Sequence, residues 1–243
     1  MKIFSTAVVA ATLGVGLGLA EPAAKPPIPE EEIVSHYLEA SHAQQDNLRG
    51  ATVEVDIDAS VPKLQKHGKL QALKSISKLG KITYHLLGFS GDNSVKTEVI
   101  ARYLKAEIDA AEGGPNLSLT PENYKFKYKG VEDCNGRQAY ILHVTPRHKK
   151  VGLFKGELWL DAQTYMPVRE TGSFVKSPSI FLKKMEFVQD YELANGVSMP
   201  QRMESKVETR FFGPVELNVD FVGFSKDESD TASADLGDSS TPQ

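Results

Sequence analysis

The sequence predicts an α+β protein in which antiparallel hairpin strands make up most of the fold and amphipathic helices cover one side of them. From residue 124 to residue 224, large apolar side chains alternate with polar ones, as in Tyr124, Phe126 and Tyr128. Successive side chains of a strand point to opposite faces, so each of these strands has one apolar and one polar face. Short turns such as Asn135-Gly136 join the strands, which indicates hairpins and not the long crossovers that parallel strands need.

The first twenty residues are predicted to be a secretory signal peptide. Lys2 provides a positive end, residues 3–19 are small and apolar, and Gly18-Leu19-Ala20 offers the small-x-small pattern that precedes cleavage. The apolar stretch contains several glycines and has no basic stop-transfer flank, which favours a cleaved signal over an uncleaved membrane anchor. We therefore expect an exported protein, cleaved near Ala20, with a Pro/Ala linker over residues 21–29.

Charge and cysteine content narrow the classes of function. The 243 residues carry a net charge of −4, and the acidic excess lies in residues 225–243, a Ser-, Thr- and Asp-rich tail that we predict to be disordered. The folded part is close to neutral, so no nucleic-acid partner is indicated. A single cysteine, Cys134, excludes a disulfide framework. Residues 30–224 are therefore predicted to form one domain that is stabilised by apolar burial.

Two amphipathic helices are predicted in the first half of the chain. Three glutamates at residues 30–32 favour a helix start, because acidic side chains interact well with the positive end of the helix dipole, and the apolar stripe continues to about residue 47. The second predicted helix spans residues 94–111, with Val95, Val99 and Tyr103 on its apolar face. Three strands are predicted between the helices, at residues 53–58, 69–77 and 80–89.

Seven further strands are predicted after the second helix. They span residues 124–132, 137–146, 155–161, 167–175, 180–193, 197–212 and 215–224. The polar sides of the later strands carry alternating charges such as Arg202, Glu204 and Lys206, and cross-strand charge pairs on a solvated face stabilise a sheet modestly. We interpret the charged side as the outer surface.

No motif for catalysis, metal binding or cofactor binding occurs in the sequence. It lacks His-Glu-x-x-His, Gly-x-Ser-x-Gly, paired Cys-x-x-Cys and a phosphate-binding glycine loop. His36 and His42 lie six residues apart on the first helix, which does not place them on one face for a shared metal. Asp56 and Asp58 share a strand face, as paired catalytic carboxylates do, but a charged outer face is the commoner cause of that pattern. We expect a protein that is not an enzyme and has no cofactor.

Two features on the polar side have alternative interpretations. Trp159, the only tryptophan, either packs under a covering element or lies at a rim, and its large apolar ring favours packing. Lys149 and Lys150 lie in a basic turn that could contact anionic headgroups or an acidic partner. We interpret it as a solvated hairpin turn.

Several motifs in the strand-rich half occur together in a known superfamily. They are Tyr124…Gly130…Asn135-Gly136-Arg137…Tyr140, then Pro146, Gly156-Glu157-Leu158-Trp159-Leu160-Asp161, Pro167-Val168-Arg169 and Tyr191…Gly196…Pro200. In these motifs the chain resembles the periplasmic outer-membrane lipoprotein-sorting proteins, the LolA/LolB-like superfamily, over roughly residues 30–224. That superfamily also includes the sensor RseB and mycobacterial lipid-binding lipoproteins.

The resemblance implies a strongly curved antiparallel sheet, an unclosed β-barrel, whose open side is covered by helices and whose interior takes acyl chains. A reversible carrier needs an apolar, unspecific cavity and a movable cover. In the carrier LolA a buried strand arginine is associated with lid opening, and Arg169 and Arg202 are the nearest strand arginines here. The lipid anchor of LolB has no counterpart, since no cysteine follows the predicted cleavage point.

The predicted ligand cavity is lined by inward-facing strand residues and by the apolar face of the second helix. These residues are Tyr140, Leu142, Val144, Leu158, Leu160, Phe181, Met185, Phe187, Tyr191, Met199, Met203, Val207, Phe211, Leu217, Val219, Phe221, Val99 and Tyr103.

The sequence thus predicts a periplasmic carrier or binding protein for lipoproteins or other acyl-chain ligands. Its expected partners are those acyl chains and a membrane-bound donor or acceptor protein, and the protein itself is expected to be a monomer. The alternative is an envelope sensor or scaffold of the same fold that binds a protein partner, as RseB does, with a structural or regulatory cavity. Alternating strands suit an open cavity and a filled core equally well, so the sequence leaves that choice open.

Overall fold

The structure, a computed structural model, describes residues 28–178, 180–194 and 196–226. The predicted signal peptide, most of the predicted linker and nearly all of the predicted acidic tail therefore lie outside the described residues.

The strands form a single antiparallel sheet. Their bounds are β1 (Ala51–Val61), β2 (Lys66–Ile76), β3 (Ile82–Gly91), β4 (Tyr124–Cys134), β5 (Arg137–Pro146), β6 (Phe154–Asp161), β7 (Pro167–Phe174), β8 (Leu182–Ala194), β9 (Val197–Thr209) and β10 (Pro214–Lys226). The order across the ten-stranded sheet is β3-β2-β1-β10-β9-β8-β7-β6-β5-β4. Hairpins join all neighbours except β1 and β10, whose pairing brings the two ends of the chain together. The sheet is curved and unclosed, with β3 and β4 as its edges, which confirms the predicted fold class.

Helices cover the concave face of this sheet. The first, α1, spans Glu30–Leu48. The second predicted helix is divided into α2 (Asn93–Val95), a π-helical turn (Lys96–Ile100) and α3 (Ala101–Gly113). Asp92 caps its start, because its carboxylate accepts a hydrogen bond from the backbone N–H of Ser94 at 2.8 Å. Hydrogen bonds from Ser94 hold the pKa of Asp92 down at about 2.

Each helix packs on its own apolar core. The α1 core consists of Ile33, Val34, Tyr37, Tyr124, Tyr128, Tyr140, Leu142, Val144, Leu153, Phe154, Leu158 and Leu160. The α3 core consists of Val53, Val55, Ile57, Ala59, Val61, Leu70, Ala72, Val95, Ile100, Leu104, Met203, Leu217 and Val219. Full burial of a large apolar side chain contributes about 1.5–3 kcal/mol, so these two cores are the main source of stability.

A β-bulge in β9 corrects one predicted inward residue. Gln189 pairs with Met203, whereas beyond the bulge Tyr191 pairs with Pro200. Residues that pair directly share a face, so Pro200 lies on the face of Met203 and the adjacent Met199 lies on the opposite face. The extra residue inverts the alternation, which a strict period of two cannot anticipate.

Two other predicted inward residues lie outside the strands. Pro214 pairs with Glu208, so the chain leaves the sheet after Thr209 and Phe211 lies in the β9–β10 turn. Phe181 precedes the start of β8. Both side chains are more than half exposed, and the predicted strands 180–193 and 197–212 were therefore too long.

Candidate functional site

The middle of the concave face, between the two cores, is a half-buried surface that we call the trough. Its residues face the same side because Leu158 of the α1 core pairs with Glu170, Glu170 with Gln189, and Gln189 with Met203 of the α3 core. The trough is formed by Glu170, Gly172, Phe174, Met185, Phe187, Gln189, Tyr191, Ser205 and Val207. All of these are half-buried, whereas the cores on either side are fully buried.

The width of the sheet explains why the trough is left open. An α-helix with its side chains is about 10–12 Å wide, and neighbouring strands lie about 4.8 Å apart. Each helix can therefore cover only two or three strands of the ten. The strands β7, β8 and β9 lie in the gap between the two helices.

Aromatic and aliphatic side chains line much of the trough. Phe187 lies at its centre, with its ring 5.0 Å from that of Phe154 in an edge-to-face arrangement and 5.3 Å from that of Phe174. Next to it, Gly156 and Gly172 form a cross-strand pair without side chains. A Cβ atom on Gly172 would lie 2.7 Å from both Phe154 Cδ2 and the carbonyl oxygen of Lys155. The glycine pair thus allows β6 and β7 to approach closely beneath Phe187.

A carboxyl group lies deep in the trough. Burial raises the pKa of Glu170 to about 7, and the hydrogen bond from the Tyr191 hydroxyl opposes that rise. Tyr37 of α1 also lies near Glu170, because that carboxylate adds to the effect of burial in raising the pKa of Tyr37. Both the neutral and the charged form of Glu170 are therefore populated near neutral pH.

A second carboxyl group reaches the concave side from α3. Glu107 forms an ion pair with Lys74 at 2.7 Å and accepts hydrogen bonds from the hydroxyls of Tyr84 and Tyr103. Lys74 and Tyr84 are cross-strand partners on β2 and β3, so the sheet presents both groups to one carboxylate. Lys74 is almost fully buried, which makes this pair unlike the exposed ion pairs of the outer face.

Tyr191 lies near both of these carboxyl groups, those of Glu170 and Glu107. Burial raises the pKa of its hydroxyl, and the charges of Glu170, Tyr37 and Glu107 raise it further. The trough is therefore mainly apolar, with hydrogen-bonding groups from both helices at one side.

Among the described residues, no group of three or more His, Cys, Asp and Glu side chains could hold a metal ion.

The predicted cavity residues fall into four groups. Tyr140, Leu142, Val144, Leu158 and Leu160 belong to the α1 core, and Met203, Leu217 and Val219 belong to the α3 core, with Phe221, Val99 and Tyr103 packed against it. Only Met185, Phe187, Tyr191 and Val207 lie in the trough. Met199, Phe181 and Phe211 lie elsewhere, as described above. Most of the predicted cavity is thus filled core, and the open surface is smaller.

Several residues of the site were missed by the sequence analysis. Lys74 follows Leu70 and Ala72 at a spacing of two, so it occupies an apolar-face position, and that placement was a usable signal. Glu170 gave no such signal, because a bulge between β6 and β7 interrupts the alternation just before it. The contact between Glu107 and Lys74 depends on how α3 packs on the sheet, which the sequence alone does not show.

The two strand arginines named in the sequence analysis, Arg169 and Arg202, lie on the outer face. Arg169 pairs with Asp190 at 2.5 Å, and Arg202 pairs with Glu204 at 2.9 Å. Neither reaches the trough, so the structure provides no counterpart of a buried gating arginine at these positions.

The outer face also carries a small apolar cluster. Trp159 packs against Cys134, Ala139 and Val168 and is half-buried. Cys134 is a buried free cysteine, and burial raises the pKa of its thiol. A thiol in that environment is a poor nucleophile.

Two surface cavities, of about 480 Å³ and about 290 Å³, lie side by side at the β4–β5 turn, next to Arg137. The trough residue Tyr191 also lines the smaller one. The carboxylate of Asp161, in the larger one, accepts hydrogen bonds from the backbone N–H groups of Gln163 and Thr164 at 3.1 and 2.8 Å. Asp161 thus stabilises the β6–β7 turn, and we assign no function to these cavities.

Several known proteins are similar to this chain at low sequence identity. A family model described as "-like: Uncharacterized protein" matches residues 117–210, which is less than half of the chain. A LolA superfamily protein from Nitrosomonas europaea is 14% identical with a TM-score of 0.41, and the match covers 79% of this chain and 93% of that one.

Two other solved structures are similar to this chain at a comparable level. A DUF1329 family protein from Desulfovibrio piger is 14% identical with a TM-score of 0.46, over 82% of this chain and 94% of that one. A putative outer membrane lipoprotein-sorting protein domain from Vibrio parahaemolyticus is 13% identical with a TM-score of 0.42, over 82% and 93%. No curated protein gives a significant match. Within the described residues, no helix combines the length and the apolar character needed to cross a membrane.

Proposed function

We propose that this chain is an exported, periplasmic carrier or binding protein that holds an acyl chain in the trough. The observation that supports the proposal best is the half-buried apolar surface around Phe187, which lies between two fully packed cores. A fold that needed only a stable core would cover these side chains, since each leaves apolar area in contact with water. A single acyl chain or a small number of chains lying along β8 would cover them.

The polar side of the trough suits the end of such a ligand. Glu170 and Tyr191 lie within the apolar surroundings and are hydrogen-bonded to each other. The ester, amide or hydroxyl groups next to an acyl chain can exchange hydrogen bonds with a carboxyl and a phenol group. The proposal involves binding and release without a covalent step.

The helices provide a cover that can be displaced. Near its end, α1 is held to β9 by the side chain of Gln44, which donates to the carbonyl oxygen of Ser198 at 2.7 Å and accepts from the N–H of Ser198 at 3.2 Å. The second helix contains the π-helical turn Lys96–Ile100, and such turns occur frequently at functional sites. Movement of either helix would widen the trough for a ligand.

Ligand binding can be tested with a pair of variants on one strand. Phe187 faces the trough, and Val188, the next residue, faces outward and is exposed. Native mass spectrometry of gently purified protein should detect bound lipid, and a fluorescent fatty acid should bind the wild-type protein. Phe187→Glu should abolish that binding because it places a charge against the acyl chain, whereas Val188→Glu should bind like the wild type. Absence of bound lipid together with no uptake of the probe would refute the proposal.

A second candidate function, the binding of a protein partner, is favoured by the edge strand β3. Its outward backbone groups have no strand partner, and both Leu86 and Leu87 are about half exposed. An extended peptide could add to this edge as a further strand. A proline substitution in β3, Leu87→Pro, should weaken binding of such a partner and leave uptake of the fatty acid probe unchanged.

A further inference from the structure

One rim of the unclosed barrel contains four hairpin connections of unusual composition. The connections β1–β2, β5–β6, β7–β8 and β9–β10 lie at the same end of the strands, since alternate hairpins of an antiparallel sheet turn back at one rim. Their described residues are 62–65, 147–153, 175–178, 180–181 and 210–213. We call their surface the basic rim.

The basic rim is strongly cationic. Its four connections contain no Asp or Glu and six Lys or Arg residues, namely Lys63, Arg147, Lys149, Lys150, Lys176 and Arg210. Two nearby carboxylates are already engaged, since Asp92 pairs with Lys66 at 3.3 Å and Glu122 interacts with Arg147. Glu208 and Glu216 lie on the outer face of the strands below the rim.

The same connections expose large apolar side chains. The exposed fraction is 78% for Ile180, 53% for Phe181, 63% for Phe211 and 54% for Phe212. Leu64 and Val151, in the two other connections, are also exposed. Apolar side chains at the tips of turns, surrounded by basic ones, form a surface that is both hydrophobic and cationic.

Contacts between two connections hold the aromatic tip in place. The rings of Phe181 and Phe211 lie 5.9 Å apart, and those of Phe211 and Phe212 lie 6.4 Å apart. Arg210 donates from its side chain to the carbonyl oxygen of Ile180 at 2.6 Å and from its backbone to that of Phe181 at 2.9 Å. The aromatic tip is therefore already ordered before it binds, so binding costs little conformational entropy.

The opposite rim has fewer of these residues, with two lysines, Lys78 and Lys81, and no Asp or Glu in its connections. The described residues of its connections are 77–81, 135–136, 162–166 and 196, and Leu79 is the large exposed apolar residue among them. The two rims therefore differ in number, with six basic residues and six exposed large apolar residues at the basic rim against two basic residues and Leu79 at the other.

We propose that the basic rim docks the protein onto an anionic phospholipid surface, with Phe211 and Phe212 inserted among the headgroups and the basic side chains in contact with phosphates. Long cationic side chains attract an anionic leaflet, and aromatic rings partition into the interface between headgroups and acyl chains. A protein partner would need an acidic surface that complements apolar tips on four separate turns. The turn at Lys149 and Lys150, interpreted from the sequence as merely solvated, is part of this docking surface. The inference does not depend on ligand binding in the trough.

Co-sedimentation with vesicles tests the proposal. Vesicles of phosphatidylcholine with phosphatidylglycerol should bind the full chain, and vesicles of phosphatidylcholine alone should bind it weakly. The double variant Phe211→Ser, Phe212→Ser should bind the anionic vesicles at least about tenfold more weakly. Lys149→Glu with Lys150→Glu should weaken binding similarly and reduce its sensitivity to salt, because fewer charges remain to be screened.

Controls separate docking from folding and from the trough. Leu79→Ser removes an exposed apolar residue from the opposite rim and should leave vesicle binding unchanged, as should Phe187→Glu in the trough. Phe211→Trp should show a blue shift of its fluorescence on addition of anionic vesicles, beyond any change that Trp159 gives in the wild-type protein. The proposal is overturned if the wild-type protein fails to bind anionic vesicles, or if Leu79→Ser weakens binding as much as the changes at the basic rim do. Failure of the wild-type protein to bind would indicate that the basic rim binds a protein partner instead.

Discussion

The hydroxyl of Tyr191 on β8 donates a hydrogen bond to the carboxyl group of Glu170 on β7, inside a surface that is otherwise mainly apolar. Burial of this carboxyl group sets the sign of its contribution to stability. Its pKa is about 7 in the folded protein against an ordinary value of 4.5. Between those values the folded chain retains a proton that the unfolded chain releases, so this contribution to stability is present below about pH 4.5 and is lost as the pH rises to about 7.

The first prediction is that Glu170→Gln removes this pH dependence. The free energy of unfolding of the wild-type protein, relative to the variant, should fall by up to about 3 kcal/mol between pH 4.5 and pH 8. Urea denaturation at a series of pH values measures the difference. Glu132→Gln, at an exposed position of β4, is the control and should follow the wild type throughout. Parallel curves for wild type and Glu170→Gln would contradict the assignment.

The second prediction concerns the buried ion pair of Lys74 and Glu107. Lys74→Met leaves the carboxylate of Glu107 without its cation and should lower the free energy of unfolding by about 2–4 kcal/mol. Lys69→Met is a matched control on the same strand, because Lys69 pairs with Asp58 at 2.7 Å on the exposed outer face. That control should change stability little, since water and salt screen an exposed pair. Equal effects in chemical denaturation would show that the two pairs do not differ in burial.

The third prediction concerns the close approach of β6 and β7 beneath Phe187. Gly172→Ala places a Cβ atom against Phe154 and the backbone of Lys155, which should cost about 1–3 kcal/mol of stability because the sheet must shift. Gly88→Ala, whose Cβ atom would have its nearest neighbour at 3.9 Å, should be close to neutral. Thermal unfolding of both variants provides the measurement, and a neutral Gly172→Ala would argue against the tight contact.

The fourth prediction concerns the attachment of α1 to the sheet. Gln44→Ala removes both hydrogen bonds to Ser198, each of which contributes about 0.5–1.5 kcal/mol, so the end of α1 should open more often. Amide hydrogen exchange within α1 should become faster, and the fatty acid probe should dissociate faster from the trough. Gln45→Ala, at the adjacent exposed position, should behave like the wild type in both measurements. Unchanged exchange in Gln44→Ala would show that these bonds do not restrain the helix.

The sequence predicted the hairpins well and the site only in part. The alternation around Leu142 and Leu158 identified positions that are indeed buried, because a period of two is a local property of each strand. Met199 was misplaced since a single bulge inverts the alternation downstream of it. Phe181 and Phe211 were misplaced for a different reason, because an apolar residue just beyond a strand continues the pattern although the chain has already turned.

By itself, the sequence determined that this protein is an antiparallel sheet with one apolar face and two amphipathic helices, since periodicity and turn residues act over short distances. Only the tertiary structure decided which part of that face is covered. The pairing of β1 with β10 places α3 over one end of the sheet, and α1 covers the other end. Two helices about 10–12 Å wide cannot cover ten strands, so the centre around Phe187 and Glu170 remains open. That division depends on contacts between residues distant in the chain, which no local pattern specifies.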